Sequence, residues 1–376
     1  MRRPAGLLAG ALIAIALLPA LSATAAPAAR TTVLKTAGRI FFLAADGGRV
    51  AVATAATSTR CDRIVVWTPA KKTTSGFGTG TNCPPGGSTS GGEFLGELAL
   101  AGTRLAWVEA YQGNLQDLVL KTRVLGKKKA KEVAFAENHS GAEGGADGDY
   151  LGNLYGDGSL LAYNIWEVCT AYPPDWEVDP SYPMCEDVQA AGDEPEEVVR
   201  GQKLLRISAK GKGISVKSGA DSFGVVDVDA GRIATRQATG GITILGPAGG
   251  VLGTVPVPAG ELAGAALSGS TLAVLRDAAL EVYDTGTGAL EKTLPLAAGA
   301  ELTDLQGDLA VYLAGTAVHV VDLQTGEDAL FSASPAGPVD AELEPGGLTY
   351  AYNVSGAKLG RIVFVPLATV VAQLAA

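Results

Sequence analysis

Side chains able to do acid–base chemistry recur in the second half of the chain. Asp227, Asp229, Asp304, Glu342 and Glu344 each stand near the end of a short apolar segment. Paired carboxylates suit glycoside hydrolysis or lyase chemistry, in which one group gives up a proton while another takes one or activates water. Asp227, Asp304 and Glu342 are the candidate set for that chemistry. The matching positions of the first two segments hold Ala44 and Ala99. The alternative is therefore that these acids are polar strand ends facing water. Nucleophilic catalysis lacks its parts: His139 and His319 are far apart, and no Gly-x-Ser-x-Gly elbow accompanies either. No phosphate-binding loop or dinucleotide fingerprint is present. Gly144-Gly145-Ala146-Asp147-Gly148-Asp149 offers hard oxygen ligands on a glycine-rich segment but lacks the acidic run and closing Glu of a calcium loop. Calcium is the single cofactor left open, and otherwise none is expected.

Recognition chemistry is concentrated elsewhere. Tyr150, Tyr155, Tyr163, Trp166, Tyr172, Trp176 and Tyr182 are half of all the Trp and Tyr of the chain, and acidic residues including Glu177 and Asp187 lie among them. Aromatic anchors with a polar rim are what a binding surface needs, because Tyr and Trp bury much area at small entropic cost. The candidate binding residues are Tyr150, Tyr155, Trp166, Tyr172, Trp176, Tyr182, Glu177 and Asp187. The alternative reading is that the aromatics hold their own loop together and the acids are solvated. A formal net charge of −10, with 29 Lys plus Arg against 39 Asp plus Glu, excludes the basic stripe of a nucleic-acid binder. A hydrophobic content of 47% excludes general disorder.

Arg2 and Arg3, the apolar run from Leu7 to Leu21 and Ala23-Thr24-Ala25 form a secretory signal with a small-x-small cleavage site, read as residues 1–25. No later stretch is long and apolar enough to span a bilayer. Cys61, Cys83, Cys169 and Cys185 fit the oxidising compartment this implies. Four cysteines allow three connectivities; local pairing, Cys61 with Cys83 and Cys169 with Cys185, is expected because each pair brackets a loop with little core of its own. No Cys-x-x-Cys spacing supports zinc instead. Asn138-His139-Ser140 and Asn353-Val354-Ser355 match the glycosylation sequon without informing the reading.

These residues are carried by a repeat. Ile233, Leu272, Leu309 and Leu348 head similar phrases at intervals of 37 to 39 residues, each followed by a second alternating segment such as Leu280-Glu281-Val282-Tyr283-Asp284. Related phrases begin at Arg49, Arg104 and Leu160. Period-two alternation between glycine-rich turns reads as strands, and a unit near 40 residues with four strands reads as a propeller blade. Residues 26–376 are thus expected to form a single all-β domain, a seven-bladed β-propeller of four-stranded antiparallel blades. Val33 to Thr36 belong to no unit and are expected to close the ring as the outer strand of the last blade, removing an open edge.

Asp284-Thr285-Gly286-Thr287-Gly288 and Asp322-Leu323-Gln324-Thr325-Gly326 resemble the hairpin turns of secreted bacterial propellers of the TolB-like and quinoprotein-like (WD40-like) repeat families. That resemblance implies an architecture that hosts unrelated functions. The quinoprotein enzymes imply a bound quinone and a Trp docking motif in most blades, whereas only Trp67, Trp107, Trp166 and Trp176 occur here.

Surplus residues fall in loops at 55–62, 75–93, 137–150 and 168–201, all assigned to one face. Elaborated loops on a rigid scaffold are where binding concentrates. The reading is a secreted, monomeric, non-catalytic propeller that recognises a protein, peptide or glycan through this face. The competing reading is an extracellular polysaccharide lyase or hydrolase using the carboxylates, with calcium as a possible aid.

Overall fold

Alternating apolar residues between glycines that accept the positive φ of tight turns direct this chain into short antiparallel strands. The computed structural model describes residues 30–83, 92–113, 115–141, 145–174, 185, 188–219, 223–334 and 336–376. β1 (Thr32–Lys35) comes first, then β2 (Ile40–Asp46), β3 (Arg49–Thr54), β4 (Arg63–Thr68) and β5 (Thr73–Gly78). β6 (Glu93–Ala101), β7 (Arg104–Gln112), β8 (Gln116–Val124) and β9 (Lys131–Gly141) follow. β10 (Gly145–Asp157), β11 (Leu160–Ala171), β12 (Glu196–Ile207) and β13 (Gly213–Gly219) are next. The later strands are shorter: β14 (Phe223–Asp229), β15 (Arg232–Gln237), β16 (Ile242–Leu245), β17 (Val251–Val255), β18 (Ala265–Ser268), β19 (Thr271–Arg276), β20 (Ala279–Asp284) and β21 (Leu290–Pro295). The chain ends with β22 (Ala300–Gln306), β23 (Leu309–Ala314), β24 (Ala317–Asp322), β25 (Asp328–Ala333), β26 (Pro338–Glu344), β27 (Gly347–Asn353), β28 (Gly360–Pro366) and α1 (Leu367–Leu374).

Four sheets are four-stranded and antiparallel and run in chain order from an inner to an outer strand: β2 to β5, β14 to β17, β18 to β21 and β22 to β25. The inner strands lie side by side, β2 against β6, β6 against β10, β10 against β14, β14 against β18, β18 against β22, β22 against β26, and β26 against β2. The last sheet has the order β1-β28-β27-β26, so the N-terminal strand occupies its outer edge, with Thr32 opposite Phe364 and Lys35 opposite Arg361. The hairpins expected at Asp284 and Asp322 are present between β20 and β21 and between β24 and β25.

Apolar side chains from facing sheets make the core. Val108, Leu118, Leu151, Leu161 and Tyr163 form one buried cluster, and Ile244, Leu267, Leu272 and Tyr283 belong to another. Each such side chain contributes about 1.5–3 kcal/mol relative to exposure. The apolar tail after Pro366 forms α1, which buries Val370 and packs on β24, β27 and β28; the sequence reading assigned it no structure.

The sequence divided β6 to β13 into two separate sheets, but they form one eight-stranded sheet. Of the segments expected as loops, 137–141, 145–150, 168–171 and 196–201 are strand instead, and β9 and β10 pair from Asn138 with Gly148 to Gly141 with Gly145. Gly148 permits this approach: its φ is +112°, and a Cβ there would stand 2.4 Å from the Glu137 carbonyl oxygen. Gly145 to Asp149 lie in strand β10, and Gly144 of the compared segment lies outside the described residues.

Candidate functional site

Inner strands β2, β6, β10, β14, β22 and β26 share a register shift at corresponding places, between Ile40 and Phe42, Leu95 and Glu97, Gly152 and Tyr155, Val225 and Asp227, Leu302 and Asp304, and Pro338 and Asp340. A bulge re-aims the side chains beside it. These strands enclose a cavity of about 500 Å³ lined by Glu97, Asp157, Asp227, Asp229, Glu301, Asp304, Asp340, Glu342 and Glu344, with Phe42, Asn153 and Tyr155 and without a Lys or Arg.

Most of these acids reach across to the next inner strand. Asp227 accepts the Leu267 N–H and Asp304 the Leu343 N–H, both at 2.6 Å, and Glu342 accepts that of Ala45. Glu97 takes the N–H groups of Asn153 at 3.1 Å and Leu154 at 2.8 Å. A second tier lies at the hairpin ends: Asp46 accepts from Gly102, Asp157 from Ala230, Asp229 from Gly269, Ser268 from Gly307 and Glu344 from Gly47. Gln306 makes no such bond because the corresponding residue of the next strand is Pro345, which has no N–H. Asn164 and Asn353 add amide clasps. The first binds Val225 N–H and the Phe223 carbonyl, and the second both backbone groups of Ile40. Asn353 is thereby occupied and Asn138 is fully buried, so neither sequon presents a free amide.

Crowding of buried carboxylates changes their acidity. Burial raises Asp227 to about 7 and Asp340 to about 7. Burial, with Asp46 and Asp157 nearby, lifts Glu344 to about 8. Asp304 and Glu342 lie well above the usual carboxylate range, through burial and the neighbouring acids. The three acids of the catalytic alternative thus line one cavity, and each also spans two sheets. Glu97, Asp157 and Asp340, which the sequence reading did not select, belong to the same ring. Glu97 stands two residues before Ala99, on the same strand face, and that spacing was the available signal.

At the opposite ends of the strands from the hairpin turns, Tyr150 pairs with Trp166 across β10 and β11, and their rings stack with centroids 5.9 Å apart and planes 15° from parallel. A Cβ on Gly152 would lie 3.1 Å from the Trp166 ring and 3.0 Å from Glu97 Oε1, so the aromatic pair borders the acidic cavity. Tyr155 is separate from that pair: it lines the cavity, 37% exposed, with its phenol pushed up by burial and by Asp227 and Glu97. Tyr172 is buried, beside a small cluster of Cys169, Ala171, Cys185 and Ala190, and its carbonyl accepts the Ala190 N–H. Trp176, Glu177, Tyr182 and Asp187 lie outside the described residues. Both disulfides are local, Cys61–Cys83 and Cys169–Cys185, and they fit a non-cytosolic compartment. The first joins the loop between β3 and β4 to the segment after β5, so these two elaborations meet. Among the described residues no helix is long and apolar enough to cross a membrane, and no group of three or more His, Cys, Asp or Glu is arranged to hold a metal ion.

No family model and no curated protein matches the chain. Solved structures do. The β-propeller domain of the Trilobed protease from Pyrococcus furiosus is similar over 88% of this chain and 96% of its own, at 8% identity and a TM-score of 0.52. Neurospora crassa Pan2, through its WD40 domain, matches over 88% and 90% at 11% identity and a TM-score of 0.47. Saccharomyces cerevisiae Sqt1 matches over 88% and 97% at 12% identity and a TM-score of 0.45. The likeness to the Trilobed protease domain is one of fold, and with the antiparallel four-stranded sheets it shows that the chain is a β-propeller.

Proposed function

We propose that this chain is a secreted, single-domain, non-catalytic binding propeller of seven blades, the eight-stranded sheet counting as two, whose ring is closed by β1. Its partner is a protein, peptide or glycan held on the face from which β9 to β12 project. One observation carries this reading. β9 to β12 are 11 to 13 residues long against four to seven in every strand from β13 onward, and the excess forms a continuous wall bearing the stacked Tyr150–Trp166 pair. A rigid aromatic pair on a paired sheet loses little conformational freedom on binding, which is the requirement for an anchor.

The cavity carboxylates support the non-catalytic side. Asp227 and Asp304 each take two backbone N–H groups, one of them from the adjacent sheet, and this accounts for their placement without a substrate. The reading is tested with Tyr150→Ala/Trp166→Ala, Asp304→Asn/Glu342→Gln and the parent protein. Each is presented to envelope and medium fractions, a glycan array and a polysaccharide panel. A ligand lost at least tenfold in the aromatic variant and retained by the carboxylate variant is the expected result. Polysaccharide turnover that vanishes in the carboxylate variant would overturn it.

A further inference from the structure

A second concavity, of about 230 Å³, opens where the last sheet meets the first. Its charged lining is entirely basic: Lys35 from β1, Arg60 from the β3–β4 loop and Arg63 from β4, with Thr57 and Thr74 beside them. None of the three makes an ion pair or a side-chain hydrogen bond among the described residues. That sets them apart from Arg232, paired with Asp229, Arg276, paired with Glu281, and Lys121, paired with Glu109. Asp62, in the same loop, is fully buried and turns its Oδ1 to the Ala56 N–H rather than to either arginine.

The pocket is shaped by backbone. Thr57 and Arg60 close a tight bridge, Cys61 is tied to Cys83, and the Ala55 N–H bonds the Arg39 carbonyl. Gly38 lets the segment after β1 pass so near that a Cβ would stand 2.2 Å from the Ala55 oxygen. Three like charges line one concavity of a chain of net charge −10, and a bound anion would relieve their mutual repulsion. Guanidinium forks match oxyanions with two parallel donors, and an ammonium with threonine hydroxyls can satisfy the remaining oxygens. The volume equals about eight waters, at about 30 Å³ each, enough for an oxyanion and a small substituent.

We infer that this pocket binds a tetrahedral oxyanion, a phosphate or sulfate group, held by Lys35, Arg60 and Arg63. Because Lys35 belongs to the last sheet, Arg63 to the first and Arg60 to the loop between β3 and β4, the anion clips the seam between the two sheets. Inorganic phosphate and sulfate are titrated separately into the full chain by calorimetry and thermal melting, against sodium chloride of equal ionic strength and against acetate. The expected result is saturable binding with a rise in Tm beyond the chloride control, weaker by tenfold or more in Arg60→Gln/Arg63→Gln and weaker for acetate. Arg60→Gln alone, in an exposed loop, serves if the double variant does not fold, with the expected loss then several-fold. A response equal to chloride, unchanged affinity in a folded variant, or equal binding of acetate would each overturn the assignment.

Discussion

The carboxylates around the central cavity hold backbone N–H groups of the neighbouring strand, and burial opposes their ionisation. Asp227 and Asp340 titrate at about 7 and Glu344 at about 8 in the folded chain, against about 4 when unfolded. Between those values the folded form binds more protons than the unfolded form, so stability falls as pH rises from about 4 through about 8. The carboxyls of Glu281 and Asp284 are shifted downward and act only below this window. Three such groups each contribute about 1.4 kcal/mol per pH unit up to their folded values, so melting followed from pH 5 to pH 8 should show Tm falling by roughly 10 °C or more, at about 2 °C per kcal/mol in a large domain. Glu342→Gln keeps an acceptor for the Ala45 N–H while removing a charge, and should flatten the slope. A Tm that rises over the same range would mean that these acids are ionised without cost. Their identities were visible in the sequence but their alignment was not. Glu97 and Asp340 stand two residues before the positions held by Ala99 and Glu342, just after the register shift of their strands, and the shift is not legible in the linear sequence.

Among the elements, the wall made by β9 to β12 departs most from the sequence reading. Glycines at 141, 144, 145 and 148 look like loop residues, and the strand-forming signal of Asn138 to Asp149 is weak by composition. Pairing with a neighbouring strand overrides that weakness, and Gly148 is kept because no side chain fits against Glu137. The repeat phrases were legible because each buries its apolar residues on both sides, as Ile233, Leu272 and Leu348 do. Beyond the wall, the described residues of the loop between β11 and β12 are held by a four-residue cluster, the Cys169–Cys185 bridge and backbone bonds from Cys185 to Thr170 and Ala190 to Tyr172. Replacing both cysteines with serine removes a 16-residue cross-link worth about 3 kcal/mol on the chain-entropy model. Because that loop is peripheral to the inter-sheet cores, proteolysis should appear between 172 and 195 while the main melting transition moves by no more than a few degrees. A loss of the whole transition would show instead that the loop supports the inter-sheet cores.

At the scale of the molecule, the two ends of the chain are held together by one sheet edge. Deleting residues 30–36 strips β28 of four register pairs and removes the Thr36 hydroxyl that accepts the Gly360 N–H. The exposed edge of β28 should then drive self-association, visible as a concentration-dependent rise in mass by light scattering, with a Tm lowered by roughly 5 °C or more. A monomer of unchanged Tm would show that the strand is dispensable. The expectation that an N-terminal segment completes the last sheet came from its lack of a unit of its own, and the pairing of Thr32 with Phe364 agrees with it.

That pairing also orders events in time. Thr32 emerges from the ribosome among the earliest described residues and Phe364 among the last, so the first described strand is among the last to find its place. Until β28 exists, β1 is an unpaired strand and β2 lacks the clasp of Asn353, so no nascent chain short of its C-terminal sheet is a finished fold. Contacts this distant in sequence form slowly, because the entropy of closing the whole chain must be met before they return anything. For the secreted propeller proposed above, such delay is useful. A chain that cannot close before its last strands are synthesised stays threadable while it is being moved.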